Sequence, residues 1–274
     1  MQLLARAFDP DRSRFPSRPW DRLLQVAASS FALTVVGLAV AASGSAHATL
    51  WRAAAAAAVH AGLLGAGWVA IDDRPQAWRR PLLLLTAVVL TASLLARLNP
   101  WGGAAYLVVP VVLIMQARHH PGGGMMGVAW PDPRAAALGL AAGLFLGVHL
   151  LIAASLTLGY SARIESVSEY LASVAYDVGL NAVSAEWFFR GAVFSWCWRR
   201  WAFAPAAALS SGGALLRYLL DPNLPGTPEA RLGAAFYVGL LGIGACALRA
   251  WSGSLLPGYL TSVVFFFAYR ALGH

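Results

Sequence analysis

Glu186 and Arg190 stand four residues apart in Ala185-Glu186-Trp187-Phe188-Phe189-Arg190-Gly191, a segment otherwise suited to lipid. Residues at that spacing share one helix face, so a carboxylate and a guanidinium meet where ionisable groups are costly, pair with one another and mark function. The commoner role of such a pair is a structural tie; the chemical one is proton transfer by the carboxylate. Asp177, Asn181 and Ser184 follow at spacings of four and three and share another face. Nine residues separate Asp177 from Glu186, half a turn out of phase at about 3.6 residues per turn. The two carboxylates then point in opposite directions and make a poor acid/base dyad. Arg217, beside Tyr218, is the other cation inside a predicted membrane segment.

The elements that must position these groups are apolar helices. Across 274 residues, 59% are hydrophobic and 12% charged, outside the range of soluble globular domains. All twenty basic residues are arginine, and they gather in short stretches between apolar runs. The net charge of +8 is therefore a topology signal and not a nucleic-acid footprint. Cys197 and Cys246 form neither a disulfide framework nor a metal-site spacing and read as packing residues. No metal or cofactor is expected.

A membrane helix needs about 20 largely apolar residues. Segments near 23–43, 53–71, 81–98, 101–117, 135–159, 169–197, 203–220, 232–249 and 254–271 approach that length, predicting an all-α polytopic bundle of eight or nine helices. Three regions follow: an Arg-rich N-terminal stretch 1–22, transmembrane helices over 23–160, and a transmembrane core over 161–274. Asn99-Pro100-Trp101 predicts a tight turn between two antiparallel helices. Small residues at Gly139, Gly143 and Gly147, and at Gly239, Gly242 and Gly244, predict close helix approach. Gly122-Gly123-Gly124 reads as a flexible connector, and the proline-rich 221–229 as a stiff outer loop.

With the N-terminus cytoplasmic, the inner side receives Arg6, Arg12, Arg14, Arg18, Arg22, Arg74, Arg79, Arg80, Arg118, Arg134, Arg199, Arg200 and Arg249. The outer side receives Arg52, Arg97, Arg163, Arg231 and Arg270, so positive charge favours the inside. The expected location is a bacterial inner membrane. An Arg-rich start, an apolar run and Ala46-His47-Ala48 also resemble a cleavable signal, though the apolar run exceeds a signal core.

The segment Ala185 to Gly191 resembles the first motif, Glu-Glu-x-x-x-Arg, of the CPBP family, the CAAX prenyl proteases and bacteriocin-processing enzymes also called Abi. Ala206 to Ser211 resembles its second-motif helix, and Phe236 to Arg249 with Ser252 to Pro257 its glycine-bearing helix and the entry to its last motif. The resemblance covers about residues 165–271 and implies a CAAX-protease-like core in which a glutamate and histidines activate water for peptide hydrolysis. Carried across, the motif's first glutamate falls on Ala185, the second on Glu186 and the arginine on Arg190. The histidine of the second motif falls on Tyr218, whose reference pKa of about 10 makes it a weak base. The third motif falls near Thr261 to Phe266 and lacks histidine and asparagine. His60 and His149 read as hydrogen-bonded core residues.

Three functions follow. The first is a catalytically silent relative, a membrane scaffold, complex subunit or partner-binding protein in which Glu186 with Arg190, and Arg217 with Tyr218 or Asp221, are ties. The second is an active intramembrane endopeptidase on a CAAX-type or other peptide substrate, with Glu186 as base helped by Asp177, Tyr218 or an incoming histidine. The third is a transporter or lipid-handling protein, with Pro110, Asp177 and Asn181 as its polar or broken midplane. The lipid bilayer is a partner in all three, and nucleic acid in none.

Overall fold

Long runs of alanine, leucine and valine satisfy their backbone groups within the segment itself, the only economical solution where water is absent. In a computed structural model of the chain these runs are helices, and the structure describes residues 20–44, 47–71, 75–120, 123–164, 166–219 and 228–273. The described residues form nine helices, two of them interrupted. These are α1 Trp20–Ala42, α2 Ala48–Ile71, α3 Pro75–Leu98, α4 Val108–His119 with a 3-10 entry at Pro100–Leu107, and α5 Pro133–Leu158. The composite α6 covers 167–198, and α7 Phe203–Leu219, α8 Pro228–Ser252 and α9 Leu256–Arg270 complete the set. Ser161–Ala162 and Leu272–Gly273 are two-residue strands. Most of the Arg-rich stretch 1–22, Arg74, Ala46 of the signal-like site, and Asp221 with most of the outer loop lie outside the described residues.

Among the described residues, six stretches are long and apolar enough to cross a membrane: 25–42, 50–71, 77–98, 100–119, 133–158 and 231–252. Their outer faces are apolar too. Phe31 is 71% exposed, Leu98 82%, Phe145 68% and Leu156 82%. A soluble protein rarely shows contiguous apolar surface on this scale; a bilayer-embedded one does. The all-α class and the bilayer as partner are thus supported at this coarse level.

Local chemistry explains the helix ends. Asn99 Oδ1 accepts the Trp101 N–H at 2.9 Å, and Pro100 opens the 3-10 turn, so the predicted sharp turn is present. Pro110 falls in the first turn of α4, where its missing N–H removes no interior bond, so it does not break the helix. Asp132 caps α5 through the Arg134 N–H at 2.8 Å, with Pro133 at the first helical position. Gly159 ends α5 at φ +68°, a conformation that a side chain would strain.

The contacts resolve into two compact units. One, here the Asp177 unit, contains the described residues of 14–122, 162–184 and 270–274; the other, the Glu186 unit, contains those of 123–161 and 185–269. In the Glu186 unit, α5 lies directly on α9. A Cβ on Gly139 would stand 2.3 Å from the Pro257 carbonyl oxygen, and one on Gly143 2.6 Å from that of Thr261. Thr261 donates to the Gly139 carbonyl at 2.9 Å. Gly139→Val is therefore expected to cost about 3 kcal/mol, the upper end of the usual overpacking cost, because backbone is what it strikes. Thermal unfolding in detergent reads the loss, and an unchanged midpoint would refute the contact. On α8 the glycines divide: Gly242 meets Ser211 and Arg190, whereas a Cβ on Gly239 or Gly244 would meet nothing.

Two expectations change here. Gly123–Met126 is a 3-10 turn, and Met126, fully buried, packs 3.0 Å from a Cβ position on Gly191. Gly123 and Met126 are thus seated in their unit, whereas Gly124 is exposed with open space about it and Gly122 lies outside the described residues. Arg249 is 1% exposed inside α8, stacks against Gly127 and donates to the Gly253 carbonyl, so it is a packing residue as much as a topology signal. Gly127 at φ +83° leaves room for that guanidinium. Past the end of α6, burial and then neighbouring Arg200 pull the pKa of Arg199 down to about 10.

Candidate functional site

Among the described residues, each unit holds a buried carboxylate with polar groups gathered around it. In the Glu186 unit the motif segment Glu186–Phe194 is π-helical, a rare form that is frequent at functional sites. The wider turn leaves backbone carbonyls to be satisfied from outside the usual ladder. The Ser210 hydroxyl donates to the Phe189 carbonyl at 2.7 Å, and Ser195 to that of Arg190 at 3.2 Å. Gly213 of α7 lies against the Phe189 ring, and Trp187 is buried to 1%.

Glu186 and Arg190 are 4% and 3% exposed and pair at 3.7 Å between Oε1 and Nε. At that separation the contact is an ion pair without a hydrogen bond from Nε, and Oε2 accepts none from the described residues. Ser262 of α9 and Cys246 of α8 lie beside the pair. Cys246 is fully buried, with its sulfur 3.7 Å from Ser210 Oγ and 4.0 Å from Ser211 Oγ. Two glycines bring the walls inward. A Cβ on Gly258 would lie 3.1 Å from Glu186 Oε2, and one on Gly242 3.0 Å from an Arg190 Nη and 2.8 Å from the Ser211 side chain.

The groups around the carboxylate are thus hydroxyls and one thiol. Tyr218 and Arg217, half-buried in the last turn of α7, lie seven and six residues beyond Ser211, about 10 Å along the helix. At the level of the pair α7 presents Ser210 and Ser211. The spacing Gly242–Cys246 on α8, like Gly258–Ser262 on α9, is four residues. Small and polar residues at one-turn spacing on two helices are the signal that marks these walls.

In the Asp177 unit a second π-helical turn, Asp177–Asn181, sits where Gly179 meets the chain at Tyr106; a Cβ there would be 2.3 Å from the Tyr106 carbonyl oxygen. Asp177 is fully buried. Asn181 Nδ2 donates to its Oδ1 at 3.1 Å, and the predicted common face continues through Ser184, which donates to the Asn181 carbonyl at 3.1 Å. The partner that charge pattern does not reveal is Arg270. Its Nε lies 2.5 Å from Asp177 Oδ2 and its Nη2 3.1 Å from Oδ1, a bidentate fork. Arg270 is therefore a neutralising partner and not simply a loop charge. The Arg163 N–H bond to the Ala271 carbonyl, 2.8 Å, holds the same stretch of chain.

Because residues 177–181 and 186–194 are π-helical, the α-helical phase count between the two carboxylates does not apply; each has its own arginine. His60 is a core residue, with Nδ1 2.8 Å from Ser184 Oγ and Nε2 2.9 Å from Tyr176 Oη. A neutral His60 ring donates through one nitrogen and accepts through the other, so it joins Ser184 to Tyr176. His149 pairs with Tyr237 Oη at 2.8 Å. Among the described residues no group of three His, Cys, Asp or Glu side chains could hold a metal ion.

These features describe a helical protein with six candidate membrane spans among the described residues and a buried carboxylate paired with an arginine in each unit. No protein-family model, curated protein or solved structure matches the chain.

Proposed function

We propose that this chain is an integral membrane protein, cytoplasmic at its N-terminus, with a degenerate CPBP-type core over 161–274 that binds a membrane partner and does not cleave peptides. The observation that carries this reading is the closure around Glu186. Gly242 and Gly258 press α8 and α9 onto the ion pair, and the neighbouring Ser210, Ser211, Ser262 and Cys246 are not proton acceptors at neutral pH. Ala185, at the position of the motif's first glutamate, has no ionisable group. Glu186 and Arg190 then act as a brace that fixes how residues 185–198 of α6 seat in the Glu186 unit.

The second reading, an intramembrane endopeptidase with Glu186 as general base, draws on Oε2, which accepts no hydrogen bond from the described residues. The two separate in one assay. Purified protein in liposomes, given a prenylated CAAX-type peptide and unprenylated peptides, is expected to release no more product by mass spectrometry than Glu186→Gln. Turnover that Glu186→Gln abolishes would overturn the proposal in favour of the endopeptidase.

A further inference from the structure

At its N-terminal end α3 carries Trp78, Arg79, Arg80 and Pro81, then four leucines, Leu82 to Leu85. Arg79 and Arg80, with Leu83 and Leu84 one turn further on, line a surface hollow of about 600 Å³. Residues four apart on a helix stack along one face, so each arginine stands over a leucine. Both arginines are exposed, and Leu83 and Leu84 are 71% and 47% exposed. Among the described residues neither guanidinium has a carboxylate partner, the ion pairs there being Arg190 with Glu186 and Arg270 with Asp177.

Two adjacent cations above an apolar step match an amphiphile with an anionic head. The planar guanidinium binds phosphate oxygens bidentately, and basic sites at the cytoplasmic ends of membrane helices attract anionic head groups. Trp78, on the same turn, is the aromatic type that settles at head-group level. A zwitterionic lipid offers the same phosphate with a tethered ammonium that two guanidiniums repel.

We infer that this hollow binds one anionic phospholipid, its phosphodiester held by Arg79 and Arg80 and an acyl chain lying along Leu83 and Leu84. The inference rests on α3 crossing the bilayer, and it is independent of whether Glu186 has any chemistry.

The test uses the full chain, delipidated in mild detergent and titrated separately with phosphatidylglycerol, phosphatidylcholine and inorganic phosphate, with binding read by native mass spectrometry. Phosphatidylglycerol is expected to bind preferentially. Arg79→Gln and Arg80→Gln should each weaken it about five-fold and the double variant about 30-fold, while Arg97→Gln, at the other end of α3, leaves it unchanged. Arg79→Lys with Arg80→Lys, which keeps the charge, should retain most of the binding. Equal affinity for phosphatidylcholine, equal affinity for free phosphate, or a double glutamine variant within two-fold of the wild type would overturn the inference. A Leu83→Cys variant in vesicles tests the premise separately: labelling by an aqueous maleimide would show that α3 is not in the bilayer.

Discussion

Arg270→Ala is expected to lower the unfolding free energy by about 3–5 kcal/mol, the cost of leaving a buried charge without its partner. The direction of the cut matters. The Asp177 side chain is 1% exposed and that of Arg270 34%, so removing the arginine strands a carboxylate that cannot reach water, whereas removing the carboxylate leaves an arginine that can turn outward. Asp177→Asn should therefore cost less, about 1.5–3 kcal/mol, the worth of hydrogen bonds to a charged group. Thermal or denaturant unfolding of the detergent-solubilised protein, followed by helical circular dichroism, measures both. Equal losses, or a larger loss for Asp177→Asn, would show that the fork is not the main support of the buried carboxylate.

The second large effect concerns Glu186 and Arg190. Glu186→Leu and Arg190→Met are each expected to cost about 3–5 kcal/mol, since either leaves the opposite charge alone in a site 3–4% exposed. The double variant should recover most of that loss, because two apolar side chains of similar volume remove both desolvation costs together. Additive losses in the double-mutant cycle would mean that the two side chains are not coupled and that the brace is wrong. Recovery of stability combined with lost partner binding is the outcome a scaffold role requires.

Several features were legible because they depend on local chemistry. The positions of the nine helices follow from apolar run length and from breakers such as Asn99-Pro100 and Gly159. The Glu186–Arg190 contact follows from four-residue spacing, which keeps two side chains neighbours even where the helix widens into a π turn. Gly139, Gly143 and Gly147 announce a close helix approach, because small residues in an apolar helix leave a groove for another backbone.

Other features were not legible, and the reasons are physical. Asp177 and Arg270 are 93 residues apart, and no local periodicity carries a pairing of that range. Cys246 looks like an ordinary packing residue until α7 brings Ser210 and Ser211 to it. The π turn at Glu186–Phe194 takes a bond from another helix, Ser210 to the Phe189 carbonyl, which an α-helical phase count between Asp177 and Glu186 had no way to include.

What the amino-acid order determined alone is the solvent and the class: apolar runs too long and too bare of charge for water, folded as helices because each must satisfy its own backbone. The tertiary structure decided which helices share a compact unit, which arginine neutralises which carboxylate, and that glycines close the walls around Glu186. Burial makes that division inevitable, since a charge's partner in a low-dielectric interior is chosen by proximity after folding, and proximity across a chain of this length is not written in neighbouring residues.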